Sequence, residues 1–262
     1  MPNVMSWLSE LRNMPPKNNL PLSLYIHLPW CEKKCPYCDF NSHVNHSKLS
    51  KHIYLEALKR DWSFSQDELG GRKIHSVFIG GGTPSLFSSE AIATLLSWLK
   101  PHLDHSCEIT LEANPQSADM KKFAGYYQAG VNRLSIGVQS FNATCLKKIG
   151  RIHDPHQAEQ AIISAQDAGF KRINVDLMYG LPGQTLAMAL LDLEMALASG
   201  VEHLSWYQLT IEPNTLFAYQ QEEIEPDIIS LAKGLGGGFP VGAVMARAEV
   251  GDAMVPGTHG ST

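Results

Sequence analysis

Three of the five cysteines in this 262-residue chain lie close together, as Cys31, Cys35 and Cys38 in the run YIHLPWCEKKCPYCDFN. The spacing is C-x3-C-x2-C, Tyr37 stands directly before the third thiol, and the run follows an apolar stretch that reads as a strand. Three thiolates this near one another repel, so the spacing calls for something cationic to hold them. An iron–sulfur cluster bound through three cysteines meets that need and leaves one iron open for a substrate or cofactor. A structural zinc site completed by His27 or His43 is the competing reading, although zinc motifs usually pair C-x2-C with a second ligand pair. The cluster is preferred.

The rest of the chain reads as strands alternating with helices. Strands are expected at Leu22 to His27, Ile74 to Ile79, Glu108 to Glu112, Arg133 to Val138, Arg172 to Met178 and His203 to Leu209. Helices are expected near Lys48 to Glu68, from a Ser88 or Ser89 cap through Leu99, and near Ala118 to Ala129, Pro155 to Ala168 and Leu186 to Ala198. In the first of these, Ile53, Ala57 and Leu58 are expected to share a buried face while Lys51, Lys59 and Arg60 stay in water. Gly130, Gly169 and Gly200 sit where helices should end. Repeated β–α units imply a parallel sheet, and six of them fall short of the eight of a closed barrel. The expected fold class is therefore α/β, a partial (βα)6 TIM-like barrel.

Parallel α/β folds bind ligands at the carboxyl ends of their strands, and those ends are polar here. After the first strand come the cysteines, and after the second comes Gly80-Gly81-Gly82-Thr83-Pro84, where missing side chains let the main chain approach a ligand. Glu112 in LEANP, Gln139 in GVQSFN and Asp176 in INVDLMYGLPGQ end the next three strands. A carboxylate at the end of an apolar strand is costly to bury alone, so Glu112 and Asp176 face a ligand or pair with a neighbour such as Arg151.

The cysteine run and its context YIHLPWCEKKCPYCDFNSH resemble the radical S-adenosylmethionine (SAM) superfamily, and within it the oxygen-independent coproporphyrinogen III oxidase and heme chaperone branch. The resemblance runs from about Leu20 to about Tyr219. It implies a radical SAM barrel in which Cys31, Cys35 and Cys38 ligate a [4Fe-4S] cluster. It further implies that Tyr25 borders the SAM bound there, that Gly81, Gly82 and Thr83 meet its amino-acid portion, and that Glu112 is a polar contact. Tyr37, Gln139, Arg151 and Asp176 resemble positions that line a second SAM site in the porphyrinogen-oxidising members, and the number of SAM molecules stays open. The chemistry implied is one-electron cleavage of SAM to methionine and a 5′-deoxyadenosyl radical. Oxidase members carry a further cysteine two residues after the third; Phe40 stands there in this chain, so the resemblance favours heme chaperones, with coproporphyrinogen oxidation as the alternative. Heme or a porphyrinogen, a heme-acceptor protein and an electron donor are the implied partners.

Beyond about Gln221 the character changes. The tail EPDIISLAKGLGGGFPVGAVMARAEVGDAMVPGTHGST resembles an internal piece of class III pyridoxal-phosphate (PLP) aminotransferases, with Lys233 matching the Schiff-base lysine and Thr262 a phosphate contact. A Schiff-base lysine needs a pocket that lowers its pKa, and about forty residues cannot build one, so PLP chemistry is not expected. The expected organisation is an N-terminal extension at 1–20, a radical SAM core at 21–220 and a truncated, foreign aminotransferase-like fragment at 221–262. A formal charge of −5 offers no general footprint for nucleic acid or an anionic membrane. With no membrane span and no secretory leader in view, the cytoplasm is the expected compartment. Its reducing conditions argue against disulfides, and Cys107 and Cys145 read as small core hydrophobes.

Overall fold

Each long strand alternates with period two between an apolar and a polar set, as in Arg133-Leu134-Ser135-Ile136 and Arg172-Ile173-Asn174-Val175-Asp176. The computed structural model, which describes residues 21–38, 40–44, 48–209, 228–231 and 243–246, shows what that alternation does. The order is β1 (Leu22–Leu28), β2 (Trp30–Cys31), β3 (His43–Val44), α1 (Lys48–Ser65), β4 (Ile74–Gly81), α2 (Ser89–Leu99) and β5 (Leu103–Ala113). It continues with α3 (Met120–Ala129), β6 (Arg133–Gln139), α4 (Ala143–Lys148), α5 (Pro155–Asp167), β7 (Arg172–Tyr179), α6 (Leu186–Ala198) and β8 (His203–Gln208). Six strands form one sheet in the order β1-β4-β5-β6-β7-β8, every neighbouring pair parallel. Sequential parallel order with helical crossovers is the wiring of a partial barrel, with β1 and β8 at the two edges of the sheet among the described residues.

The apolar set packs with the helices. Val77, Ile79, Leu111, Leu134, Ile136 and Val175 are buried in one cluster with Ile92 and Leu95 of α2, Phe123 and Tyr126 of α3, and Ile162 of α5. The opposite alternation places Glu112, Ser135 and Asn174 level with one another across β5, β6 and β7. The sheet therefore has one greasy face, covered by helices, and one polar face. A fully buried parallel strand would instead be apolar on both faces.

Local chemistry explains the helix ends. Ser88 caps α2 by accepting from Ala91 N–H, Asp119 caps α3 through Lys122 N–H, and Asp154 begins α5 in a capping box with Gln157. Gly130, Gly169 and Gly200 all adopt positive φ after α3, α5 and α6, as expected of residues closing helices. Cys107 and Cys145 are buried free thiols among apolar neighbours. The structure corrects the reading of α1. Ile53 is 57% exposed, and Leu55 is the buried residue, with Tyr54, Leu58 and Trp62 packed beside it. Lys51 belongs to the same side, donating to Leu86 O at 2.9 Å with its ammonium over the Phe87 ring. The helical repeat groups positions 51, 54, 55, 58 and 62 on one face, from which position 53 is rotated away, and packing against Leu86 and Phe87 makes that face the covered one.

No helix among the described residues is long and apolar enough to cross a membrane. In the tail, Ile228–Leu231 and Ala243–Ala246 pair as an antiparallel two-stranded ribbon. Lys233, Thr262 and residues 1–20 lie outside the described residues.

Candidate functional site

The carboxyl end of β1 runs into the cysteine loop, and the glycine run that ends β4 is fastened to that loop. Gly82 N–H donates to Leu28 O and Thr83 N–H to Trp30 O, both at 2.8 Å, continuing the β1–β4 ladder past the sheet. The Thr83 hydroxyl then lies 3.7 Å from Cys31 Sγ as its donor. Gly82 is obligatory by proximity, since a Cβ there would stand 2.7 Å from the backbone of Pro29 and Trp30. Gly81 takes φ 117°, and its N–H donates to Glu112 Oε2 at 3.1 Å. Thus Cys31, Gly81, Gly82, Thr83 and Glu112, drawn from three strand ends, meet in one place. Tyr25 lies on β1 nearby, 56% exposed, its ring stacked with Phe78 and its hydroxyl 3.0 Å from His27 Nδ1. Burial, with the Glu112 charge adding to it, pushes the Tyr25 phenol up to about 12, so it remains protonated at neutral pH.

A second group gathers at Cys35. Arg151, from the turn between α4 and α5, reaches Gly137 O at 2.5 Å with one nitrogen and Cys35 Sγ at 3.8 Å with the other. Tyr37 is half-buried beside this pair, and burial raises its phenol well above the usual range, partly opposed by the Arg151 charge. Gln139 accepts from the Tyr207 hydroxyl at 2.6 Å. Asp176 sits deeper on the polar face, taking hydrogen bonds from Ser135 Oγ at 3.0 Å and Asn174 Nδ2 at 2.9 Å, while Ser205 Oγ donates to Asn174 Oδ1 at 3.1 Å. Glu112 and Asp176 thus use amide and hydroxyl donors, and Arg151 uses a carbonyl and a thiol. The suggested pairing of a carboxylate with Arg151 is not among the ion pairs found between described residues.

Three free thiols on one loop are a donor set that an iron–sulfur cluster takes. Among the described residues no three His, Cys, Asp or Glu side chains are arranged to hold one metal ion. A cubane takes each thiolate at a different corner, so its ligands surround it and do not converge on a point. Of the two candidates for completing a zinc site, His27 contacts Tyr25 and Asn41 O through its two ring nitrogens, while His43 contacts Asn41 Oδ1 through Nε2 alone. Burial raises the Cys38 thiol; hydrogen bonds from the Phe40 backbone and the Ser42 side chain oppose that shift, and neighbouring Cys31 and Cys35 add a smaller push upward.

Several participants were not singled out from the sequence. Tyr207, His153, Asp192 and the Ser135–Asn174–Ser205 network all support the strand ends. The signal for the network was available: polar residues at every second position in strands of a parallel sheet mark a face that is not core. Nothing local in the sequence pointed to His153 or Asp192, which act across the fold.

The fold and this site define a class. The family model of the radical SAM superfamily matches residues 25–196, and the chain belongs to that superfamily. The superfamily implies a [4Fe-4S] cluster and SAM. Within it, the chain is 51% identical over 213 residues to the heme chaperone HemW of Haemophilus influenzae, covering 79% of this chain and 56% of that protein. It is 49% identical over 209 residues to heme chaperone HemW of Escherichia coli, covering 79% and 55%. The solved structure of Escherichia coli coproporphyrinogen III oxidase (HemN), described as a radical SAM enzyme, superposes with a TM-score of 0.69 at 28% identity, covering 84% of this chain and 50% of that one. The chain spans about half the length of the curated relatives it matches. A second family model, class-III aminotransferase, matches residues 214–262.

Proposed function

We propose that this chain is the cluster- and SAM-binding part of a heme-chaperone-like protein, which binds heme and passes it to an acceptor protein. Cys31, Cys35 and Cys38 hold the [4Fe-4S] cluster, and Gly81, Gly82, Thr83 and Glu112 receive the amino-acid end of SAM, with Tyr25 at its border. Bound together, cluster and SAM supply one-electron reductive cleavage of a sulfonium carbon–sulfur bond. The chain's own work is placement. The bare main chain at Gly81 offers close approach, Glu112 presents a carboxylate to an ammonium group, and Thr83 fixes the Cys31 sulfur. On the other side, Arg151 sets a permanent cation beside Cys35, and Tyr37, Gln139 and Asp176 supply polar contacts of a second subsite. The observation that carries this reading is the fastening of the glycine turn to the cysteine loop, which brings the ligand thiol and the cofactor-binding main chain into contact.

The heme-chaperone assignment rests on the relatives and on Phe40, which stands where oxidase members carry a further cysteine. An electron donor and the reducing cytoplasm follow from the same reading. The test is anaerobic reconstitution with iron and sulfide, followed by heme titration and SAM-cleavage assays on one sample. A sample that takes up iron and sulfide yet binds neither SAM nor heme refutes the proposal. Coproporphyrinogen III oxidation is the second reading, favoured by the superposition on HemN. Protoporphyrinogen formed from coproporphyrinogen III, SAM and a reductant would establish it over the first.

A further inference from the structure

Gln139 has a backbone φ of 69°, the one positive value among non-glycine residues described. It ends β6 at an irregularity in the pairing with β7. A side chain in this region crowds its own carbonyl, so such a conformation persists only where its surroundings over-determine it. Here they do. Arg151 holds Gly137 O, and His153, 3% exposed, contacts Val138 O at 3.0 Å through Nε2. Beyond Gln139 the next two residues are held by a single acid, Asp192 of α6. Its Oδ1 accepts from Phe141 N–H at 2.7 Å and its Oδ2 from Ser140 Oγ at 2.8 Å. Gln184 Nε2, from the loop after β7, adds a third hydrogen bond at 3.2 Å. Asp192 is 2% exposed, an expensive place for a carboxylate unless its bonds accomplish something.

We propose that Asp192 is a positioning residue: by gripping Ser140 and Phe141 it fixes the left-handed turn at Gln139, and so aims the Gln139 amide and its Tyr207 partner toward Arg151 and Cys35. The reach of that turn is visible at Gly137, where a Cβ would come within 3.0 Å of Gln139 Nε2 and 3.4 Å of Arg151 Nη2. Released from Asp192, Gln139 relaxes to an ordinary backbone conformation and its amide swings away from the guanidinium. The inference deepens the proposed SAM-binding role of the Gln139 and Arg151 subsite and rests on that reading for one of its two readouts.

The experiment compares Asp192→Ala and Asp192→Asn, each alone and combined with Gln139→Gly, in the full chain reconstituted with its cluster. Glycine takes positive φ freely and has no amide to aim, so it removes both the strain and the reporter. Asp192→Ala is expected to weaken SAM binding about tenfold with iron content unchanged, and Asp192→Asn, which retains an acceptor for Phe141 N–H, to recover most of it. Combined with Gln139→Gly, Asp192→Ala should alter SAM affinity by less than about twofold. Equal losses in both backgrounds, or no loss in either, overturn the inference. Amide exchange across 137–140, which leaves out Phe141 N–H because it loses its acceptor in either background, supplies the second readout and needs no SAM. Faster exchange on Asp192→Ala only where Gln139 is present supports the grip on the turn, and the same change in both backgrounds overturns it. An unsubstituted protein that never binds SAM sinks the proposed function, while the exchange comparison still decides the role of Asp192. If Asp192→Ala fails to fold, Ser140→Ala removes one of its three bonds and should move both readouts in the same direction by less.

Discussion

Replacing Gly82 by alanine adds one methyl group at the point where the glycine turn touches the cysteine loop. The backbone of Gly82 is not left-handed, so alanine carries no conformational penalty there and the cost is contact alone. The new Cβ would stand 2.7 Å from Pro29 C, 2.7 Å from Trp30 O and 2.8 Å from Pro29 O. All three atoms are main chain, with no flexible side chain to give way. The loop must move, and the bonds from Gly82 N–H to Leu28 O and Thr83 N–H to Trp30 O must lengthen. Overpacking costs about 1–3 kcal/mol, and two weakened hydrogen bonds add about 1 kcal/mol between them, for a total of about 2–4 kcal/mol. In a domain of this size that lowers the melting temperature by roughly 5–15 °C. Because the displaced backbone leads directly into Cys31, iron incorporation should fall as well. The assays are a thermal melt of the apoprotein and iron and sulfide content after anaerobic reconstitution. Gly130→Ala is the comparison: φ there is 111° and a Cβ meets nothing within 4 Å, so stability should drop while iron content holds. A Gly82→Ala protein with native melting and full iron content would refute the contact argument.

Alanine at Cys31, Cys35 or Cys38 should each abolish the visible absorbance of the cluster and SAM cleavage together, and full absorbance in Cys35→Ala would reject that residue as a ligand. His153 titrates against its surroundings: burial, aided by the Arg151 charge, lowers it from 6.5 to about 4. The unfolded chain therefore takes up a proton that the folded one refuses, so stability present above about pH 6.5 is lost as the pH falls toward 4, by a few kcal/mol at most, roughly. Melting curves across that window should be flatter for His153→Gln, and identical slopes would contradict the assignment. Tyr126 is fully buried, with its hydroxyl donating to Ser85 O at 3.0 Å and Phe87 O at 2.6 Å. Tyr126→Phe leaves both carbonyls short of a donor and should cost about 1–3 kcal/mol in a denaturant titration without altering iron content. A midpoint unchanged from the native protein would show that those carbonyls find other partners.

The elements of this chain are legible because their causes are local. Period-two strands, 3.6-period helices and capping residues such as Ser88 and Asp119 act within a few positions, so the order of six strands and their helical crossovers follows from pattern alone. The cysteine loop is equally local, since C-x3-C-x2-C keeps its sulfurs near one another in any fold. Where local pattern erred, at Ile53 and Lys51 of α1, the face was decided by what lay beneath it: Phe87 and the Leu86 carbonyl receive Lys51.

What the tertiary structure alone decided is which strand ends meet. Thr83 reaches Cys31 across 52 positions, Gly81 reaches Glu112 across 31, and Arg151 reaches Cys35 across 116. Those contacts depend on parallel register, which slides each strand end to the same edge of the sheet. Asp192 shows the limit of sequence reading most sharply, because an acid in the apolar helix LAMALLDLEMALA has no local meaning until a strained turn 51 residues away presents it with Phe141 N–H. A hydrogen bond across that separation is specified by no short pattern; the packing of α6 beside the end of β6 creates it.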